Sequence, residues 1–122
     1  MRTKFNNFLN DYIYHGTSKG AAIRIQQDGY MKQKNTGEEK PSISFTNDLD
    51  YASYYAKMKG GNNGIILRTK LNEKFNLSPR IKNNNGDEYI TFDTIPILKL
   101  EILINNKWEK LSKWDIILNK PL

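Results

Sequence analysis

The sequence has no cysteine and a single histidine, His15, among its 122 residues. The absence of cysteine excludes disulfide bonds, thiolate metal ligands and a cysteine nucleophile. One histidine cannot complete a zinc site of the usual His/Cys kind, whereas a carboxylate site for a harder cation remains open. No stretch reaches the ~20 apolar residues of a membrane span, so we expect no membrane partner.

Motifs of several nucleotide-binding and hydrolytic enzymes are also missing. There is no Walker-type G-x-x-x-x-G-K-[ST] loop, no G-x-G-x-x-G fingerprint after a strand and no nucleophile elbow. The run "GGNNG" lacks the lysine and leads into a strand, so it predicts a plain turn. The N-terminal "MRTKFNNFLN" lacks the long apolar core of a signal peptide, and we expect a cytoplasmic protein.

Composition predicts one folded domain over residues 1–122. Hydrophobic residues make up 38% of the chain and charged residues 26%, which is typical of a globular protein rather than a disordered segment. Lysine and arginine number 19 against 13 aspartate and glutamate, for a net charge of +6. Such a charge attracts a nucleotide, a nucleic acid or an acidic protein surface without choosing among them.

Local patterns predict an α+β domain with a mixed or largely antiparallel sheet. Strands are expected at "YIYH", "SISFT", "GIILRTKL", "DEYITF", "ILKLEILI" and "WEKL", the last two joined by a tight "NNK" turn. Helices are expected at "NNFLNDY", at "SKGAAIRIQQDG" between Ser18 and Gly29, and at "NDLDYASYYAKM" with Asn47 or Asp48 as cap. The tail from Ser112 is predicted as a short capped helix, and "MKQKNTGEEKP" and "NEKFNLSPRIKNNNG" mostly as loops.

Three segments carry polar groups that together suit one reaction. "YHGTS" offers a histidine beside a glycine, "SISFTNDLDYASYY" offers hydroxyls and then tyrosines, and "DEYITFD" offers a carboxylate at the start of a strand. Cleavage of an N-glycosidic bond passes through an oxocarbenium-like transition state, which a carboxylate stabilises. A tyrosine can stack on a flat aromatic leaving group. The set is therefore a candidate site for this chemistry.

The same segments resemble the motifs of a known superfamily. "YHGT" with "IQQDGY", "SISFTNDLDYASYYA", "GIILRTKL" and "DEYITFDTIPILKLEIL" are similar, in order and spacing, to the motifs of the diphtheria-toxin-like and poly(ADP-ribose)-polymerase-like ADP-ribosyltransferases of the His-Tyr-Glu type. The likeness spans about residues 13 to 104. It implies a single compact ADP-ribosyltransferase-like domain over 1–122, with a split mixed or antiparallel β-sheet and a few short helices. It also implies NAD+ as co-substrate and no metal.

The resemblance assigns roles to individual residues. His15 would hydrogen-bond a ribose hydroxyl of NAD+, and the backbone of Gly16 would hold the nicotinamide carboxamide. Thr17 would line the adenosine side, and Tyr55 would stack on nicotinamide. Glu88 would bind the ribose beside the scissile bond and stabilise the oxocarbenium ion. His15 and Glu88 are thus the predicted catalytic residues.

One position departs from the superfamily pattern. Ser44 stands where the middle strand usually carries a second stacking tyrosine, and a serine cannot stack. Either Tyr51 or Tyr54 compensates from the following helix, or the pocket is more open on that side. Ser44, Tyr51 and Tyr54 complete the predicted NAD+-binding residues.

Basic side chains near these motifs have a simpler interpretation. Lys19 and Arg24 on the first helix could meet a pyrophosphate, but a solvated helix face is the favoured interpretation. The loop with Lys32, Lys34 and Lys40 also carries two glutamates, so it is interpreted as solvated rather than as a nucleic-acid patch.

The leading hypothesis is a mono-ADP-ribosyltransferase acting as a toxin, phage effector or anti-defence protein. It would work as a monomer in the cytoplasm of its own or a target cell and modify a macromolecular acceptor, with protein and nucleic acid both open. The alternatives are a non-catalytic nucleotide- or ADP-ribose-binding module, which Ser44 favours, and an NAD+ glycohydrolase.

Overall fold

Two α-helices and eleven β-strands make up the part of the chain that the computed structural model describes, which is residues 12–35, 40–71, 78–83 and 86–122. The helices are α1 (Lys19–Asp28) and α2 (Leu49–Gly60). The strands are β1 (Tyr12–Thr17), β2 (Tyr30–Met31), β3 (Ile43–Thr46), β4 (Ile65–Lys70), β5 (Ser78–Asn83), β6 (Gly86–Thr91), β7 (Ile95–Pro96), β8 (Glu101–Ile104), β9 (Lys107–Lys110), β10 (Trp114–Asp115) and β11 (Lys120–Pro121). Single 3₁₀ turns cover Gly61–Asn63, Ile97–Lys99 and Leu111–Lys113. The predicted helix at "NNFLNDY" lies almost wholly outside the described residues.

Both helices begin and end at residues whose chemistry explains the boundary. The Ser18 hydroxyl accepts a hydrogen bond from the Ala21 amide at 3.2 Å, and Gly29 ends α1 with a φ of 82°, a conformation that glycine adopts without steric cost. The Asp48 carboxylate accepts from the Asp50 amide at 2.9 Å, so Asp48, of the two candidates, caps α2.

The strands form one seven-stranded sheet in the order β5-β6-β3-β1-β4-β8-β9, plus the two-stranded pairs β2-β7 and β10-β11. Every strand pair among the described residues is antiparallel. Asn105 and Asn106 both have positive φ, 50° and 66°, which is the geometry of a two-residue hairpin turn. The expected α+β class, largely antiparallel sheet and "NNK" turn are therefore confirmed.

The two helices pack on opposite faces of this sheet. On one face, Ile13 and Leu67 join Ala22 and Ile25 of α1 in the main hydrophobic core. Successive strand residues point to opposite faces, so Gly16 belongs to the other face. A Cβ placed on Gly16 would lie 2.1 Å from a backbone oxygen of α2. Hence α2 rests directly on β1 at this glycine.

Three of the local predictions are wrong, two for internal segments and one for the end of the chain. Residues 78–83, expected as loop, form the edge strand β5. Its Pro79 is tolerated because an edge strand needs hydrogen bonds on one side only. The strand expected at "ILKLEILI" begins only at Glu101, because Ile97–Lys99 forms a 3₁₀ turn.

The chain end is a hairpin rather than the predicted capped helix. Trp114–Asp115 pairs with Lys120–Pro121, and the Asp115 carboxylate accepts from the Leu118 amide at 3.0 Å within the connection. Trp114 and Ile116 are buried in the core. A short helix is marginal by itself, so this core packing decides the conformation.

No helix in the described ranges is both long and apolar enough to cross a bilayer.

Candidate functional site

The central sheet opens between β1 and β3. β1 pairs with β4 at six positions but with β3 at one, Tyr14 opposite Thr46. Beyond Tyr14 the two strands lose their regular pairing, and a cleft of 540 Å³ lies there. Ligand pockets typically have volumes of roughly 300–1,000 Å³. The split of the sheet thus creates a ligand-sized site.

Seven of the eight predicted site residues line this cleft: His15, Gly16, Thr17, Ser44, Tyr51, Tyr55 and Glu88. They come from β1, β3, α2 and β6, so the fold brings all three sequence segments to one place. Tyr54 does not line it. That side chain is 60% exposed and contributes to a separate surface depression with Asp48, Asp50 and Tyr51.

His15 is held across the split by a backbone group. Its Nδ1 lies 2.6 Å from the Ser44 carbonyl oxygen. Because a carbonyl can only accept, Nδ1 carries the proton and Nε2 is left as an acceptor. Burial lowers the pKa of His15 to about 4 against the raising effect of this hydrogen bond, and Lys59 and Lys34 add smaller decreases. The ring is therefore neutral at pH 7 and can accept a hydrogen bond from a hydroxyl.

The cleft wall on the side of α2 is aromatic. Tyr51 and Tyr55 are four residues apart and share one helical face. Their rings meet edge to face with ring centres 4.9 Å apart, and the Tyr51 hydroxyl donates a hydrogen bond to the Tyr55 hydroxyl at 3.3 Å. This hydrogen bond, followed by desolvation and the negative charges of Tyr55 and Glu88, raises the pKa of Tyr51 to about 12. Tyr51 therefore stays protonated, and both rings offer their surfaces to the cleft.

Glu88 reaches the cleft because β6 pairs with β3. Glu88 lies opposite Thr46, and Thr46 lies opposite Tyr14 on its other side. Directly opposed residues share one face of an antiparallel sheet, so all three side chains project toward the face that carries α2. This position brings the carboxylate near Tyr51, whose pKa it helps to raise.

Gly16 has a structural reason to be glycine that the sequence did not show. A Cβ there would lie 2.1 Å from the Ala52 oxygen and 2.7 Å from the Ala56 nitrogen. The missing side chain lets α2 approach β1 and brings Tyr51 and Tyr55 to the cleft. The role of the Gly16 backbone toward a carboxamide stays a prediction.

The position of Ser44 leaves the middle strand without a ring on this face. Ser44 is half-buried and lines the cleft, and the contact it makes with His15 uses its backbone carbonyl. The neighbouring Phe45 ring contacts the His15 ring edge to face at 5.7 Å but is buried in the core. Of the two proposed substitutes for the missing tyrosine, Tyr51 lines the cleft and Tyr54 does not.

Basic side chains give the cleft a positive balance. Four cations and two carboxylates line it: Arg24, Lys32, Lys34, Lys59, Asp28 and Glu88. Although Lys59 as a whole is exposed, desolvation of its ammonium group lowers its pKa, with a further contribution from nearby Lys34. Such a group favours an anionic partner over open water.

The cations that line the cleft were not predicted as site residues from the sequence. Lys59 follows Tyr55 by four residues, so helical spacing could have placed it on the cleft side of α2. No local sequence pattern predicts that Lys34 lies at the cleft. Its backbone exchanges two hydrogen bonds with that of Ser42, at 2.9 and 2.8 Å, and this tertiary contact positions it. Arg24 was assigned to a solvated helix face but lines the cleft, whereas Lys19 is absent from the lining.

Metal binding finds no support in the described part of the chain, where no three acidic, histidine or cysteine side chains come together.

Searches for similar proteins return no matching family model, curated protein or solved structure.

Proposed function

We propose that this protein is a mono-ADP-ribosyltransferase with an ADP-ribosyltransferase-like fold. The observation that carries the proposal is the convergence of His15, Tyr55 and Glu88 on one cleft at the split between β1 and β3. These residues come from three separate segments, and the resemblance to the superfamily assigns a role to each of them. A shared cleft is what those roles require.

The chemistry of each group fits NAD+ as the co-substrate. The neutral His15 ring can accept a hydrogen bond from a ribose hydroxyl through Nε2. Tyr51 and Tyr55 offer ring surfaces for the planar nicotinamide. The cations of the cleft would attract the diphosphate, which is the most strongly charged part of the molecule.

Glu88 is the residue that favours bond cleavage over simple binding. When the bond between ribose C1′ and the nicotinamide nitrogen breaks, the bonding electron pair leaves with nicotinamide and positive charge develops on the ribose. A carboxylate fixed beside that carbon stabilises the charge. A nucleophile of the acceptor then forms a bond to C1′ and gives up a proton to solvent or to the carboxylate. Transfer and hydrolysis differ only in the nucleophile.

A non-catalytic binding module remains the competing proposal, and the missing ring at Ser44 favours it. Incubating the purified protein with NAD+ labelled in the adenine, alone and with cell lysate, separates the possibilities. Release of nicotinamide with label on a macromolecule supports a transferase. Release without such label supports a glycohydrolase, and binding without release supports the binding module.

A further inference from the structure

The sheet carries a cluster of aromatic rings and a guanidinium group that the cleft chemistry does not use. The Arg68 guanidinium lies 3.7 Å from the Tyr12 ring centre and 4.2 Å from the Trp108 ring centre. Tyr14 lies 5.8 Å from Trp108, ring centre to ring centre. We call Tyr12, Tyr14, Arg68 and Trp108 the aromatic patch. All three rings are only half-buried.

Strand register places this patch on the same face as Glu88. A row of opposed residues crosses the sheet from β6 to β9, and its members are Glu88, Thr46, Tyr14, Arg68, Glu101 and Lys110. Neighbouring strands are about 4.8 Å apart, so Tyr14 lies roughly 10 Å from Glu88 along the row. Tyr14 also lines the cleft. The aromatic patch is therefore the continuation of the cleft wall.

The charges around the patch favour an anionic partner. Lys70 lies directly opposite Tyr12. Lys110 lies opposite Glu101 and follows Trp108 by two residues, so it projects from the same face as Trp108. Both lysines are exposed. The Arg68 Nε donates to a Glu101 carboxylate oxygen at 2.8 Å. This ion pair compensates the charge of Arg68, so Lys70 and Lys110 are the cations at the patch that can meet an anionic partner, while Glu88 carries a negative charge at the far end of the row.

We propose that single-stranded nucleic acid docks on the aromatic patch as the acceptor of ADP-ribose. Its role as acceptor rests on the proposed transferase function. Bases stack on aromatic rings while cations beside the rings neutralise phosphates, and this combination is typical of single-strand binding. The Arg68 stack holds the Tyr12 and Trp108 rings in fixed orientations, so little side-chain entropy is lost on binding. An acidic peptide would use the two lysines but leave the aromatic rings without a stacking partner. A duplex keeps its bases stacked inside and has fewer base faces to offer.

Fluorescence anisotropy without NAD+ tests the docking directly, with labelled dT₁₂ and U₁₂ oligonucleotides, a 12-base-pair duplex and oligoglutamate as probes. We expect the single strands to bind more tightly than the duplex and oligoglutamate. Trp108→Ala weakens binding about tenfold if one base stacks there, whereas Trp108→Phe, which keeps a ring, loses less. Circular dichroism verifies that the variants are folded.

A matched pair of lysines in β9 separates this surface from general charge. Lys110→Ala lowers the slope of log affinity against log salt by about 0.7, the value for one phosphate contact on a single strand. Lys107 lies on the opposite face of the same strand, so Lys107→Ala leaves the slope unchanged. Equal effects of the two substitutions, absence of oligonucleotide binding, or equal binding of oligoglutamate would overturn the proposal.

The outcome also distinguishes this proposal from the proposed function. Oligonucleotide binding that follows the expected pattern, in a protein that releases no nicotinamide from NAD+, supports the docking surface and removes its role as acceptor site. Nicotinamide release without oligonucleotide binding supports the enzyme and overturns the docking surface. Label from NAD+ that resists nuclease but not protease overturns it as well.

Discussion

The only histidine of the chain is held neutral by its position between two strands. Its Nδ1 donates to the Ser44 carbonyl, and burial lowers the pKa to about 4. In the unfolded chain the pKa of histidine is about 6.5. Between these values the unfolded state binds more protons than the folded state, so stability falls as the pH is lowered from 6.5 toward 4. Above pH 6.5 the contribution of His15 does not change.

We therefore expect His15→Gln to be less sensitive to acid than the wild type in this pH range. The difference is on the order of 3 kcal/mol at its largest, because one pKa unit corresponds to about 1.4 kcal/mol. NMR titration follows the single imidazole without ambiguity, and urea denaturation at pH 4.5 and 7 measures the stability. A pKa near 6.5 would contradict the buried hydrogen-bonded arrangement.

Two neighbouring tyrosines on α2 differ in what they face. Tyr51 lines the cleft, whereas Tyr54 is 60% exposed outside it. Tyr51→Ala should weaken NAD+ binding about threefold to tenfold, the usual strength of one aromatic contact. Tyr54→Ala is the matched control and should bind as the wild type does. Isothermal titration calorimetry measures both, and equal losses would place the ligand elsewhere.

At the scale of elements, the contact between α2 and β1 sets the width of the cleft. Gly16→Ala would bring a methyl group to 2.1 Å from the Ala52 oxygen, and backbone atoms of a helix cannot yield as a flexible side chain can. We expect a loss of about 1–3 kcal/mol in the free energy of unfolding. A Cβ placed on Gly20 of α1 would meet nothing within 4 Å, so Gly20→Ala should leave the free energy of unfolding unchanged or raise it slightly. Chemical denaturation compares the two.

A second inter-element contact depends on one side chain of α1. The Gln26 amide donates to the carbonyls of Leu111, at 3.0 Å, and Trp114, and it accepts from the Ile116 amide at 3.3 Å. It therefore ties the C-terminal segment to the core. Gln26→Ala leaves these backbone groups unpartnered and should lower the unfolding free energy by about 2 kcal/mol. The exposed neighbour Gln27 is the control, since Gln27→Ala should change stability by less than about 0.5 kcal/mol. Thermal unfolding measures both variants, and equal losses would contradict this role of Gln26.

The sequence predicts an element when the residues that determine it lie within or next to that element in the chain. α1 and α2 were predictable because Ser18, Gly29 and Asp48 act locally, on the helix that each one caps. β5 was missed because a strand with proline and asparagine forms only through pairing with β6. The hairpin at Trp114 was missed because core packing decides it.

The candidate site follows the same division. His15, Tyr55 and Glu88 were found from motifs, because chemistry restricts which residue types can serve. Lys34 was not, because its place depends on a tertiary backbone contact with Ser42. Nor could sequence alone reveal that Gly16 is needed for helix packing.

For the whole molecule, the topology explains why residues far apart in sequence share one cleft. The Ser44 carbonyl accepts from His15 across 29 positions, and the pairing of β3 with β6 brings Glu88 to the same cleft. Because the sheet opens beyond Tyr14, these groups surround a space rather than filling a core. We propose that Glu88 acts on a bond of NAD+ bound in that space.

The rate of nicotinamide release from NAD+ by Glu88→Gln, compared with the wild type and with Glu109→Gln, tests this role of Glu88. Glu109 is a strand carboxylate on β9, outside the cleft lining. We expect the wild type to release nicotinamide and Glu88→Gln to slow this release by about 10²- to 10⁴-fold, with its fold and much of its NAD+ affinity intact. Glu109→Gln should react at the wild-type rate. A Glu88→Gln variant that releases nicotinamide at the wild-type rate, or a wild-type protein that releases none, would contradict this role.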